Sequence, residues 1–105
     1  MGRLYADNYP YLDSLMGGYF HQDYAINGNT TEEIVKAYQE HSHPEDWMGV
    51  RADIHRFLRR YDDSRTRQEF IRIFGSDIDP ELWEPTTRQW LLKIDELLQQ
   101  IAPRP

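Results

Sequence analysis

Residues 44–61 read Pro44-Glu45-Asp46-Trp47-Met48-Gly49-Val50-Arg51-Ala52-Asp53-Ile54-His55-Arg56-Phe57-Leu58-Arg59-Arg60-Tyr61, and this stretch decides the fold class. Trp47, Val50, Ile54, Phe57, Leu58 and Tyr61 follow one another at gaps of 3, 4, 3, 1 and 3, the spacing that lines apolar side chains along one face of a helix. Arg51, Arg56, Arg59 and Arg60 fill the gaps, so the other side of that helix is polar. Pro44 lacks only an amide that a first helical turn leaves unpaired, and Glu45 and Asp46 oppose the positive end of the helix dipole.

Upstream, Ser42-His43-Pro44 ends a shorter helix whose apolar stripe is Ile34, Val35, Ala37 and Tyr38. Its start is written in Thr30-Thr31-Glu32-Glu33, a capping box in which Thr30 bonds the amide three residues on and Glu33 reaches back. Asn27-Gly28-Asn29 is a turn, and before it Leu12, Leu15, Met16, Tyr19 and Phe20 form a first helical stripe. Gly17-Gly18 falls inside that stripe and either ends the helix or serves close packing. Downstream, Asp62-Asp63-Ser64 caps a fourth helix with Phe70, Ile71, Ile73 and Phe74 as core candidates and Gly75 as its stop. A loop with Pro80 and Pro85 leads to a second capping box, Thr86-Thr87-Arg88-Gln89. Trp90, Leu91, Ile94, Leu97, Leu98 and Ile101 follow it at gaps of 1, 3, 3, 1 and 3, a fifth helix ending before Pro103.

No alternating run is long enough for a strand, no repeat period is visible and no tract is low in complexity. The expectation is an all-α fold, a compact bundle of about five helices, with residues 1–105 as one domain. Folding a chain of this size removes about two-thirds of its surface from water, enough for stability without staples. The sequence has no cysteine, which removes disulfides, thiolate catalysis and thiolate metal sites together. The start, Gly2-Arg3-Leu4-Tyr5-Ala6-Asp7, has no apolar leader core, and no run approaches the length of a membrane span, so a cytoplasmic protein without membrane contact is expected.

The net charge of −6 is unevenly placed. Residues 1–49 carry two basic and eight acidic groups, residues 50–75 seven and four, and residues 76–105 three and six. An acidic field concentrated before residue 50 repels phosphate backbones and attracts a basic partner.

Several constellations invite a chemical reading, and each has a plainer one. His41 and His43, with Glu40 and Glu45 beside them, are the nearest approach to a metal cluster, but residues two apart point away from each other on a helix, whereas helical zinc motifs use positions four apart. His21 and Asp23 could form a general-base pair for a small metal-dependent hydrolase, yet no nucleophile elbow, phosphate loop or paired acids accompany them, and they suit a helix end. Arg51, Arg56, Arg59, Arg60, Arg65, Arg67 and Arg72 could form a phosphate stripe for a nucleic-acid-binding regulator. The interleaved Asp53, Asp62, Asp63 and Glu69 make a salt-bridged solvated face the better reading. Trp47 and Trp90 head strong stripes and belong to the core, while Trp83, between Pro80 and Pro85, stands between packing over the core and contacting a partner. No catalytic residue, metal site or cofactor is therefore assigned.

Leu15-Met16-Gly17-Gly18-Tyr19-Phe20-His21-Gln22-Asp23-Tyr24, followed by Thr30-Thr31-Glu32-Glu33-Ile34-Val35, resembles the opening signature of the CdiI immunity-protein family of contact-dependent growth inhibition. Trp90-Leu91-Leu92-Lys93-Ile94 is similar to that family's final helix. Tyr24 stands where Trp is commoner and keeps the aromatic bulk. The resemblance implies a non-enzymatic protein that binds the CdiA-type C-terminal toxin domain delivered by a neighbouring cell, one to one in the cytoplasm, and occludes it. Many such toxins are nucleases with basic clefts, and the acidic charge, read independently, agrees. Asp23, Glu32, Glu33, Glu40, Glu45 and Asp46 are the expected toxin-binding residues.

Overall fold

Each capping signal starts a helix at the place its chemistry requires. The structure, a computed structural model, describes residues 8–20, 24–75 and 79–99. Among these are five α-helices and no strand: α1 Pro10–Gly18, α2 Thr31–Glu40, α3 Pro44–Arg60, α4 Asp63–Phe74 and α5 Thr87–Gln99, with short 3₁₀ turns at Tyr24–Ile26 and Pro80–Leu82. Thr30 Oγ1 accepts the Glu33 amide at 3.1 Å to start α2, Asp62 Oδ1 accepts the Arg65 amide at 3.1 Å to start α4, and Thr86 Oγ1 accepts the Gln89 amide at 3.0 Å to start α5. Glu33 reaches back one residue further than a capping box requires, its Oε1 accepting the Asn29 amide at 2.8 Å. Gly75 closes α4 at φ 95°, a left-handed conformation that glycine adopts without a Cβ clash.

Helices α3 and α5 form the centre of the bundle. Helix α1 packs on α3 and α4, while α5 packs on α2, α3 and α4, giving an all-α bundle with extents of 42 × 26 × 25 Å. Phe57 of α3 sits at one aromatic centre, 5.5 Å from the Tyr9 ring, 5.0 Å from Tyr61 and 5.9 Å from Phe74. Trp90 of α5 sits at another, 5.0 Å from Phe20 and 5.7 Å from Phe70. The edge-on approaches of Tyr9 to Phe57 and of Phe20 and Phe70 to Trp90 are of the kind that aromatic quadrupoles favour. The Trp90 indole N–H donates to Thr31 Oγ1 at 3.0 Å, so the one polar atom of this buried ring has a partner.

Three sequence readings are sharpened by the packing. Gly17 and Gly18 end α1 and do not serve close packing, since a Cβ at either would meet nothing within 4 Å. The carboxylates interleaved with the central arginines are not all on a solvated face: Asp53 and Glu69 are buried, and Asp95 of α5 joins them inside. Arg56 pairs with Asp53, Arg65 and Arg72 with Glu69, and Arg51 with Asp95. These acids go under because each has cationic partners to replace its hydration. Tyr9, absent from the first stripe as the spacing drew it, is also part of the core. Ile101, the last residue of the fifth stripe, lies outside the described residues.

Candidate functional site

Of the six acids expected to contact a partner, the five within the described residues fall into three states. Glu32 is tied to α5 by Lys93, whose Nζ lies 2.8 Å from its Oε2. The hydrogen bond from Lys93 holds the Glu32 carboxyl below its ordinary range. Lys93 also reaches Glu84 Oε2 at 3.2 Å, so it neutralises acids from two segments. Glu33 and Asp46 are exposed in part but spend an oxygen on helix starts, Asp46 Oδ2 accepting the His43 amide at 3.1 Å. Glu40 and Glu45 are exposed, and among the described residues neither has an ion-pair or hydrogen-bond partner. Glu33 and Glu40, seven residues apart on α2, share one side of that helix. Asp23 lies outside the described residues, as does His21.

The end of α2 is stitched to the start of α3. The Trp47 indole donates to Ser42 Oγ at 2.9 Å, and Ser42 Oγ donates to the Tyr38 carbonyl. The Tyr38 phenol is pushed up to about 12 by burial, with the Asp46 carboxylate and then the Tyr19 and Tyr11 phenols adding to the shift. The Tyr19 ring, just past the end of α1, meets the Tyr38 ring edge-on with centroids 5.4 Å apart.

Beside this junction α3 holds Tyr11 in two ways. The Asp53 carboxylate accepts the Tyr11 and Leu12 amides at 2.8 and 3.0 Å, satisfying two of the orphan donors at the start of α1. One turn earlier on α3, a Cβ at Gly49 would come within 2.4 Å of Tyr11 Cγ, so the ring lies in a notch that only glycine leaves open. Even so, Tyr11 remains 45% exposed and neighbouring Met48 66% exposed. Neither residue was singled out from the sequence. The available signal was an apolar side chain lying off the apolar stripe, as Met48 does between Trp47 and Val50.

The remaining constellations resolve into structural roles. His41 Nδ1 lies 2.9 Å from the Ala37 carbonyl at the end of α2, and His43 precedes the first residue of α3. Among the described residues no three histidine, aspartate or glutamate side chains are gathered in a metal-binding group. Arg67 spans Asp79 at 2.9 Å and Glu81 at 3.6 Å, and Arg88 pairs with Asp63 at 3.2 Å. With Arg51, Arg56, Arg65 and Arg72 also paired, most of the central arginine charge is answered within the chain. Trp83 takes the packing option, stacked on Trp90 with ring centroids 6.1 Å apart and planes 16° apart. No helix among the described residues is long and apolar enough to cross a membrane.

A family model described as CdiI immunity protein matches residues 8–98 of the chain. No curated protein and no solved structure gives a match. The matched span begins before α1 and ends one residue short of the end of α5, so it takes in the whole helical bundle.

Proposed function

The chain belongs to the CdiI immunity protein family, and from that premise we propose that it neutralises its toxin by stoichiometric occlusion. The partner is the cognate CdiA-type C-terminal toxin domain, bound one to one in the cytoplasm. The match over residues 8–98 carries this reading, because it spans the complete fold and not a local motif. An inhibitor of this kind needs a complementary surface and no reacting group, so no catalytic residue, metal or cofactor is assigned to it.

The charge pattern supports a basic, nuclease-type toxin. Eight acids against two basic residues before residue 50 give that half a negative field, which speeds the encounter with a phosphate-seeking cleft. The proposed contact residues are Asp23, Glu32, Glu33, Glu40, Glu45 and Asp46. Among the described ones, Glu40 and Glu45 carry unpaired charge into that field, while the charge of Glu32 is answered by Lys93.

The test is titration of the purified protein against the toxin domain encoded immediately upstream. Toxicity is expected to vanish near equal molar amounts, with a single complex by calorimetry. Absence of binding at micromolar concentrations would reject the proposal.

A further inference from the structure

Among the described residues, the strongly exposed large apolar side chains are Tyr11, Ile26, Met48, Leu82 and Leu92. Two of them are linked through one position of α3, Gly49. The Tyr11 ring rests against Gly49, and Met48 is the next residue along α3. The exposed row of α3 on this side reads Glu45, Met48 and Ala52, one helical turn apart. On α1, Ser14 and Gly18 follow Tyr11 at the same kind of spacing and are exposed. The exposed side chains here are thus an aromatic ring and a thioether, with the carboxylate of Glu45 one turn before Met48 and that of Asp46 next to Glu45 in sequence.

We propose that the Tyr11–Met48 surface of α1 and α3 is the centre of the contact with the toxin domain, and that it seats a basic face of that domain. The proposal rests on the toxin-binding function above and adds to it an apolar anchor that the acidic residues alone do not supply. Basic side chains suit such a place, because their aliphatic stems cover Tyr11 and Met48 while their charged heads reach Glu45 and Asp46.

Two features separate this surface from the others. The first is rigidity: Asp53 fixes the backbone of Tyr11 and the Gly49 notch fixes its ring, so little freedom remains to be lost on binding. Rigid aromatic anchors with few torsions are what dominate binding energy at protein interfaces. The second is charge. Leu82, although 74% exposed, lies among acids that are already answered, Asp79 and Glu81 by Arg67 and Glu84 by Lys93. Ile26 sits in a segment, residues 24–31, that has no charged residue. At Met48 the adjacent Glu45 is unanswered among the described residues, so exposure is combined there with a free negative charge, whereas Leu92, less exposed at 41% and with Glu96 one turn on, has no ring held in a glycine notch beside it among the described residues.

Three variants and the wild type test the proposal against the toxin domain encoded upstream. Met48→Arg and Leu82→Arg add the same charge at similarly exposed positions, so neither disturbs the core and only location differs. Met48→Arg is expected to raise Kd about 10-fold or more, and Leu82→Arg by less than about threefold. Gly49→Ala keeps every contacting side chain but displaces the Tyr11 ring, and is expected to raise Kd about 10-fold with the circular dichroism spectrum retained. If it fails to fold, Met48→Arg decides alone. Equal affinities for the two arginine variants, with the wild type binding tightly, overturn the interface and leave the function standing. A wild type that does not bind overturns both.

Discussion

Asp53 Oδ2 accepts the amide of Leu12 at 3.0 Å across 41 residues of sequence, with both groups buried. The same oxygen takes the Tyr11 amide at 2.8 Å, so a side chain from the middle of α3 does the work that an N-cap residue does for other helices. Tyr9, at the cap position of α1, makes no such side-chain bond. Asp53→Ala removes the acceptor from two amides and leaves Arg56 without its carboxylate, which should cost about 2–3 kcal/mol. Asp53→Asn keeps one acceptor oxygen and should lose about half of that. Urea unfolding of both variants measures the difference, and equal losses would mean that the charge, not the cap, holds α1 in place.

A second long-range tie joins the start of α2 to the core of α5. Thr31 is 2% exposed and its hydroxyl receives the indole N–H of the fully buried Trp90. Thr31→Val preserves shape and strands that donor, with an expected loss of about 1–3 kcal/mol. In a cycle with Trp90→Phe, the double variant should lose less than the sum of the two single losses, by about 1 kcal/mol. Strict additivity in denaturant midpoints would show that the bond contributes nothing beyond packing.

The helices were legible because their periodicity and capping residues agree over Trp47 to Tyr61, Thr30 to Tyr38 and Thr86 to Leu98. Two other matters were not. Sequence spacing shows that Asp53, Glu69 and Arg72 can meet along helices, but burial depends on which face another helix covers, and that is a tertiary fact. In the same way the acids before residue 50 were visible as charge, whereas their division into answered Glu32 and unanswered Glu40 and Glu45 depends on Lys93, some 60 residues away. Tyr11 was hidden for the same reason, since its holder Gly49 reads locally only as a weak point in a helix.

Acid sensitivity should follow from Glu69. Arg72 donates to Glu69 Oε1 at 2.7 Å through its Nε, and Arg65 approaches the other oxygen at 3.4 Å. The hydrogen bond from Arg72 is the largest influence and holds the Glu69 carboxyl below its ordinary value of 4.5 despite the opposing effect of burial. A carboxyl depressed in the folded state stabilises that state fully above its unfolded pKa, and the stabilisation disappears as pH falls through the folded value. The melting temperature should therefore hold from neutrality to about pH 5 and then decline toward pH 3. Glu69→Gln should start lower at pH 7 and decline less steeply. Parallel curves for variant and wild type would assign the acid transition to other carboxylates.

Association with the toxin should respond to where charge is removed, not only to how much. Glu40→Gln with Glu45→Gln deletes two unanswered charges, while Asp79→Asn with Glu81→Gln deletes two that Arg67 already answers. Both doubles change the net charge equally. At about 20 mM salt, where screening is weak, the first double should slow association about three- to tenfold and the second by much less. At about 500 mM salt the gap should close, because exposed charges are then screened beyond a few ångströms. Dissociation should change little for either pair, since exposed rim charges act mainly on the encounter. Stopped-flow measurement of the two rates against salt checks this. Equal slowing by the two doubles would mean that overall charge guides the encounter and that the junction of α2 and α3 has no special part in it.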